Sequence, residues 1–183
     1  MQYEGVLTKM QTEFSNPIAY YLVFENSFLN LNQLLGKELE IVHQGYQCLE
    51  CGKKKKIFRQ GFCYDCFYSS AAVGDWIMKP ELSTAHLGIQ DRDLAYEEKV
   101  QLQPHIVYLA NSSALKVGIT RITHMPTRWL DQGATQALPI MRVGSRRLSG
   151  QLEIMFGEQV ADKTDWRKLL KGEAEPLDLV EVR

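Results

Sequence analysis

The four cysteines constrain the fold more than any other feature of this 183-residue chain. Cys48 and Cys51 form one C-x2-C pair, Cys63 and Cys66 form a second, and eleven residues separate the pairs. A two-residue gap lets both sulfur atoms of a pair turn toward one point, and two such pairs complete a tetrahedral set of thiolates. The spacing therefore predicts a structural Zn²⁺ site with a closed ligand shell. A redox role is the alternative, which the lack of a βαβ pattern around the pairs disfavours.

The loop between the two cysteine pairs is strongly basic. It contains four consecutive lysines: Lys53, Lys54, Lys55 and Lys56. Clustered positive charge favours contact with phosphate groups, and we predict that these lysines bind nucleic acid. The alternative is a solvated loop that only keeps the chain soluble, and the sequence does not decide between the two.

The order of patterns along the chain predicts an α+β protein. Four segments follow from it: a small N-terminal β unit (1–45), a zinc-binding insert (46–68), a linker or irregular cover (69–103) and a regular α/β domain (104–183). In the first segment, runs of β-forming residues at 19–24 and 37–43 predict strands.

The last segment has the clearest periodicity. It predicts two strands at 105–110 and 115–120, a short helix closed by Gly133, and a third strand at 137–145. Ser149 is the predicted N-cap of a helix that carries an apolar face. That face has Leu152, Phe156 and Val160 at intervals of four. The tail after Gly172 alternates and predicts an additional edge strand.

Charge is distributed unevenly, although the whole chain has a formal charge of only −1. Residues 104–150 have one acid, Asp131, and six basic residues: Lys116, Arg121, Arg128, Arg142, Arg146 and Arg147. A local excess of this sign suits a polyanion, so we expect DNA or RNA as the partner. The alternative is that the acidic 151–183 region packs alongside and neutralises it.

The stretch VYLANSSALKVGITR, followed by TRW and a helix with Glu153, resembles the GIY-YIG endonuclease superfamily, in particular its short-hairpin branch. A tyrosine on strand one, a glycine on strand two, an arginine on the next helix and a glutamate on a later helix occur in the same order. This resemblance covers about residues 104–172. The wider chain, with GFCYDCF and RWLDQGA, resembles a bacterial family catalogued as a domain of unknown function.

The resemblance to GIY-YIG enzymes implies a catalytic role for five residues. Tyr108 would help activate the attacking water, and Gly118 would let substrate or metal approach the strand. Arg128 would neutralise the scissile phosphate, and Lys116 would add a second positive charge. Glu153 would hold a single divalent cation, Mg²⁺ or Mn²⁺. Such a set provides the parts that phosphodiester hydrolysis needs.

The chain also departs from the superfamily pattern. The second motif, Lys116-Val117-Gly118, lacks its tyrosine, and the first, Val107-Tyr108-Leu109, lacks its leading glycine. Three hypotheses follow: a metal-dependent nuclease, a non-catalytic zinc-stabilised nucleic-acid-binding module, and a zinc-stabilised protein-interaction domain.

Each proposed catalytic side chain also has a structural explanation. Tyr108 could lie at the core edge with its hydroxyl hydrogen-bonded. Glu153 could be a first-turn acid that favours the helix dipole, and Arg128 could stack on Trp129.

No apolar run approaches the roughly 18 residues that a membrane span requires. The N-terminal MQYEGVLTKMQTEF has polar and acidic residues where a signal peptide needs an apolar stretch. The sequence therefore predicts a cytoplasmic protein with no membrane partner.

Overall fold

The computed structural model describes residues 2–160 and 166–182, a mixed α/β chain with two small sheets and a four-cysteine cluster. The chain divides into two compact units, and the boundary falls between Ser69 and Ser70. The first unit contains the cysteines, and the second contains the predicted α/β domain. No helix among the described residues combines the length and the apolar character needed to cross a bilayer.

The first unit begins with a three-stranded antiparallel sheet. Its strands, in spatial order, are β1 (Gln11–Glu13), β2 (Ala19–Val23) and β3 (Phe28–Asn30). Asn32 fixes the chain that follows β3, because its side chain accepts from the Tyr20 N–H at 2.9 Å and donates to the Ile18 carbonyl at 2.8 Å. One side chain thereby satisfies two backbone groups beside β2.

The strand predicted at 37–43 does not form. This segment has irregular backbone, and Leu39, Ile41 and Val42 are exposed. Alternating apolar residues stabilise a strand only when one of its faces is buried against other elements. Here the alternating side chains are not buried, so the pattern lacks the packing that would make it a strand.

The second unit is built on an antiparallel sheet in which β4 (His105–Asn111) lies between β5 (Leu115–Arg121) and β6 (Gln136–Val143). All three strands were predicted, with small differences at their ends. Every residue of β4 is buried. Its two faces belong to separate apolar clusters, one around Val107 and Leu109 and one around Ile106 and Tyr108.

Two helices cover these clusters. The short helix α3 (Thr127–Asp131) ends as predicted near Gly133, whose φ of +63° is a conformation that glycine adopts readily. The longer helix is α4 (Arg146–Gly157). As predicted, Leu152 and Phe156 of this helix pack around Val107 and Leu109. Val160 packs there too, but the helix ends at Gly157, so Val160 follows it rather than lying on its face.

The start of α4 differs from the prediction. The cap is Ser145, whose hydroxyl accepts from the Leu148 N–H at 3.4 Å, and the helix begins at Arg146. Ser149 lies inside the helix and is buried, and its hydroxyl donates to the Arg146 carbonyl at 2.7 Å. A serine that bonds back to the preceding turn is compatible with a helix interior, so the sequence pattern pointed to the wrong serine.

Residues 70–103 belong to the second unit. They form several short 3₁₀ turns and then helix α2 (Leu94–Gln101). The side chain of Glu97, on this helix, is fully buried. Glu97 accepts from the backbone N–H groups of Asp91 at 3.0 Å, Arg92 at 2.7 Å and Asp93 at 3.0 Å. These bonds satisfy the buried charge and organise the loop before α2, which explains how such a polar stretch packs.

The predicted C-terminal edge strand is absent; the described tail has two short helices, α5 (Trp166–Lys171) and α6 (Leu179–Val182). The Gln136 side chain donates to the Leu177 carbonyl at 2.8 Å and accepts from the Leu177 N–H at 2.9 Å. Asn111 also donates to the Glu175 carbonyl at 2.7 Å, and Leu179 is buried in the core. Side chains of Asn111 and Gln136 thus form the hydrogen bonds to the tail backbone that a neighbouring strand would have formed.

We expect Gly150→Ala to destabilise the second unit strongly. A Cβ at Gly150 would lie 2.6 Å from Pro80 Cβ and 2.7 Å from the Glu81 backbone nitrogen, so backbone must move. The expected loss is about 2 kcal/mol or more of unfolding free energy, measured by chemical denaturation. Gly157→Ala, on the same helix, is the control, because in the described part of the chain no atom other than its chain neighbours and the helix backbone lies within 4 Å of the added Cβ. Equal stabilities of the two variants would contradict this packing.

Candidate functional site

The four cysteines of the first unit lie together as predicted. The sulfur atoms of Cys48, Cys51, Cys63 and Cys66 are all within 4.8 Å of one another. A tetrahedral zinc with bonds of about 2.3 Å places its sulfur ligands roughly 3.8 Å apart. The cluster therefore has the size and the donor set for a metal such as zinc, which fits the residues present.

Two different local structures hold the two cysteine pairs. The first pair lies on a tight turn in which Gly52, with a φ of +66°, donates to the Cys48 carbonyl at 3.0 Å. The second pair lies at the start of α1 (Tyr64–Ser69), where the Phe67 N–H donates to the Cys63 carbonyl at 2.9 Å. A tight turn and a helical turn each place two sulfur atoms on one side of the backbone, as the spacing predicted.

Two of the thiols, those of Cys48 and Cys66, differ in their pKa. The Cys63 N–H donates to the Cys48 sulfur at 3.3 Å, and this bond is the main reason that the pKa of Cys48 falls to about 6. Burial, together with bonds to the other cysteines, raises the pKa of Cys66 to about 12. Thiolates are the form that binds metal, so the site contains one thiol already suited to that role.

The second site centres on Tyr108 of β4, whose side chain is 0% exposed. Its hydroxyl donates to Gln132 Oε1 at 2.8 Å, and the Trp129 ring packs edge-on with 5.9 Å between centroids. Burial raises the pKa of Tyr108, while the neighbouring Arg128 lowers it. The phenol is therefore neutral near pH 7 and acts as a hydrogen-bond donor.

Gly118 lies directly opposite Tyr108 in the β4–β5 ladder. A Cβ at Gly118 would be only 2.7 Å from Cζ and from the hydroxyl oxygen of Tyr108. The glycine therefore lets the tyrosine ring lie flat across the neighbouring strand. The sequence assigned this space to a substrate or metal, and the structure places the Tyr108 ring in it.

Arg128 and Glu153 reach the neighbourhood of Tyr108 from different helices. Arg128 comes from α3 and lowers the pKa of Tyr108, and Glu153 comes from the middle of α4. Glu153 raises the pKa of Tyr108. Burial lowers the pKa of Arg146, and the negative charge of Glu153 opposes that shift. Glu153 is thus not a first-turn acid. Three of the predicted catalytic residues share one electrostatic neighbourhood.

Lys116 lies on the same side of the sheet as Tyr108. It pairs with Ala110 two positions along the ladder, and directly opposed residues project their side chains to one face. Its side chain is half-buried. The position is consistent with a second positive charge on that face.

The remaining arginines of the second unit have varied partners. Arg121 bonds His124 Nε2 at 2.8 Å, and Arg147 bonds His86 Nε2 at 2.9 Å. Arg146 donates to the carbonyls of Trp76 at 3.0 Å and Ile77 at 2.7 Å, with its guanidinium 5.4 Å from the Trp76 ring centre. These contacts give Arg146 a structural role that the sequence did not indicate.

Arg142 is exposed on β6. The four lysines, Lys53, Lys54, Lys55 and Lys56, are exposed in the first unit.

Sequence reasoning missed several residues beside Tyr108. Gln132 accepts the hydrogen bond of the Tyr108 hydroxyl. Its position at the end of α3, next to Gly133, was the only sequence signal for it. The indole N–H of Trp129 is buried and has no hydrogen-bond partner within the described chain.

His105 is fully buried at the start of β4. Its Nδ1 donates to the Gln103 carbonyl at 2.7 Å, and its Nε2 lacks a partner among the residues that the structure describes. Burial lowers the pKa of His105, and the positive charges of Arg146 and Arg121 lower it further. The imidazole is therefore neutral, with its free lone pair on Nε2.

We expect Gly118→Ala to displace the Tyr108 ring and to weaken its bond to Gln132. Overpacking of this kind should cost about 1–3 kcal/mol of unfolding free energy, measured by denaturation. Gly144→Ala in the same unit is the control, since its added Cβ would meet no atom of the described residues within 4 Å apart from its chain neighbours. Wild-type stability in Gly118→Ala would contradict the close approach of ring and strand.

Comparison with known proteins gives one result at the level of the family. No curated protein and no solved structure matches this chain. A family model described as "Protein of unknown function (DUF2797)" matches residues 36–183, which include the cysteine cluster and the whole second unit. The chain therefore belongs to the DUF2797 family.

Proposed function

We propose that the Tyr108 site hydrolyses phosphodiester bonds in DNA or RNA with the aid of a divalent cation. The observation that carries this proposal is the convergence of Tyr108, Arg128 and Glu153, which come from three elements; Arg128 lowers the pKa of Tyr108 and Glu153 raises it. Their order on strand, helix and later helix is the order that the GIY-YIG resemblance implies. Cationic groups and a metal-binding carboxylate can stabilise the negative charge that develops on the phosphate oxygens during phosphoryl transfer.

Each residue has a distinct task in this proposal. The Arg128 guanidinium is exposed and would bind the non-bridging oxygens of the scissile phosphate. The Tyr108 phenol, held by Gln132 and kept neutral by burial, would orient the attacking water. Lys116 would add positive charge on the same face of the sheet.

Glu153 is the residue that would hold the cation. Mg²⁺ commonly binds through one or two carboxylates, with water and substrate phosphate as its other ligands. Bound Mg²⁺ or Mn²⁺ would supply a Lewis acid for the phosphoryl oxygens.

A non-catalytic nucleic-acid-binding module is the second candidate. Complete burial of Tyr108 favours it, because a phenol that is 0% exposed must become accessible before it can contact a substrate water. The Lys116-Val117-Gly118 motif, which lacks a tyrosine, favours it too. In this case Arg121, Arg128, Arg142 and the exposed lysine loop would bind phosphates without turnover.

For the cysteine cluster we propose a structural Zn²⁺ with four thiolate ligands. The four sulfur atoms leave no open coordination position for a substrate. Catalysis therefore belongs to the second unit in this proposal.

Cleavage of labelled single- and double-stranded DNA and RNA in Mg²⁺ or Mn²⁺ tests the first proposal. We expect Glu153→Gln and Tyr108→Phe each to lower the rate about 10²–10³-fold, because each removes a group that acts in the transition state. Tyr96→Phe and Glu181→Gln are matched controls on exposed positions and should cut at the wild-type rate.

Cutting that survives both site changes would contradict the proposed site. Retention of nucleic acid without any cutting would support the binding module, provided that the retention weakens with salt.

Elemental analysis of the purified chain should find one zinc per molecule. We expect Cys48→Ser and Cys63→Ser to lose it, because each removes one of four ligands. Ser69→Ala at the end of α1 is the control and should keep the metal. Thiol titration should detect four reactive cysteines only after chelation. Thiols that react fully before chelation, at unchanged zinc content, would exclude this site.

A further inference from the structure

The first unit has a cluster of aromatic rings that neither the cysteine site nor the proposed nuclease site uses. Four rings are in mutual contact: Phe58, Tyr64, Phe67 and Tyr68. Tyr64 and Tyr68 lie one turn apart on α1, with 4.9 Å between ring centroids, and Phe58 lies 5.2 Å from Tyr64. These four rings, with Arg59, are called the aromatic surface below.

The exposure of these rings distinguishes them from a core. Phe58 is 41% exposed, Tyr64 61% and Tyr68 57%, and only Phe67 is half-buried. Aromatic side chains contribute most to stability when they are buried, so three exposed rings in contact add little to this unit. Clustered exposed apolar rings are a frequent mark of an interaction site.

Positively charged side chains border the rings, which favours an anionic partner. The Arg59 guanidinium lies 5.4 Å from the centre of the Phe58 ring. Lys55 forms an ion pair with Asp65 at 2.8 Å. Lys53, Lys54 and Lys56 are exposed, and no ion pair of theirs occurs within residues 2–160 and 166–182. The border therefore offers three lysines and one arginine to an anionic partner.

We propose that the aromatic surface binds single-stranded RNA. Unpaired bases would stack on the Tyr64 and Tyr68 rings, and the phosphates would lie along the lysines. A duplex has its bases stacked internally, so it cannot offer them to these rings. The tyrosine hydroxyls add hydrogen-bonding groups that suit the ribose 2′-OH, which DNA lacks.

This site goes beyond the proposed nuclease function, and its binding does not require cleavage at Tyr108. It uses residues of the first unit only. Binding measured without Mg²⁺ or Mn²⁺ takes place without cleavage, and the part of it that is lost when the Tyr64 and Tyr68 rings are changed belongs to the aromatic surface. Tyr108→Phe should leave that binding unchanged, which separates failure of one proposal from failure of the other.

Fluorescence anisotropy of a labelled, unstructured 12-nucleotide RNA, titrated with the zinc-loaded full chain, is the test. We expect Tyr64→Leu and Tyr68→Leu each to weaken binding roughly 5- to 100-fold, as removal of a stacking ring does elsewhere. Phe14→Ala changes another exposed ring of the same unit and should bind as the wild type does. The zinc content of each variant is measured, so that a loss of folding is recognised.

Two further comparisons test the charge and the sugar. The affinity should fall with salt, and changing Lys53, Lys54 and Lys56 to Gln should reduce the logarithmic slope by about 0.7 for each phosphate that a lysine no longer neutralises. Lys37→Gln, an exposed lysine of the same unit, should leave the slope unchanged. Tyr64→Phe with Tyr68→Phe should keep stacking but lose the preference for RNA over DNA.

Several results would overturn the proposal. Equal affinity of the wild type for RNA and DNA would refute the assignment to RNA, and tighter binding of duplex would refute base stacking. Unchanged binding in both leucine variants that retain zinc would exclude the rings. Self-association that Tyr68→Leu abolishes, in a chain that does not bind RNA, would identify the surface as an interface between copies.

Discussion

Burial of strand β4 on both faces is the constraint around which the second unit is organised. All its residues from His105 to Asn111 are inaccessible, so each side chain needs either an apolar neighbour or a hydrogen-bond partner. The face with Val107 and Leu109 receives α4 and Leu179. The opposite face receives Trp129 and Met125. Two polar side chains of the strand have such partners, Tyr108 in Gln132 and Asn111 in the Glu175 carbonyl, whereas His105 Nε2 has none among the described residues.

The first unit achieves order by another route. Its three strands have between three and five residues each, and its buried apolar side chains in the described chain are two cysteines, Cys48 and Cys63. A small unit of this kind cannot gain much from a hydrophobic core, and a metal bound to four thiolates would hold two distant chain segments together. The Tyr64 and Tyr68 rings of α1 lie at the surface of this unit.

The spacing of apolar and turn residues along the sequence predicted most of the strands and helices of the second unit. Strands β4, β5 and β6, helix α3 with Gly133, and the apolar face of α4 all follow from residue spacing. The 37–43 strand and the Ser149 cap were wrong, because an alternating run needs a burying partner and two serines compete for one cap. The buried Glu97 and its three backbone donors could not be predicted, since they depend on a loop conformation that the sequence does not encode locally.

The candidate site was predictable as a set of residue types but not as a set of contacts. A family resemblance brought Tyr108, Arg128 and Glu153 together, whereas Gln132 and the close approach of Gly118 to the Tyr108 ring required the structure. Arg128 and Gln132 lie four residues apart, on α3 and at its end. Gln132 accepts the hydrogen bond of the Tyr108 hydroxyl, and Arg128 lowers the pKa of Tyr108. One short helix therefore places both the guanidinium and the amide group that act on the Tyr108 phenol, and their positions are set when the helix folds. Substitutions at these two positions act on the same group, so their energetic effects are coupled and not additive.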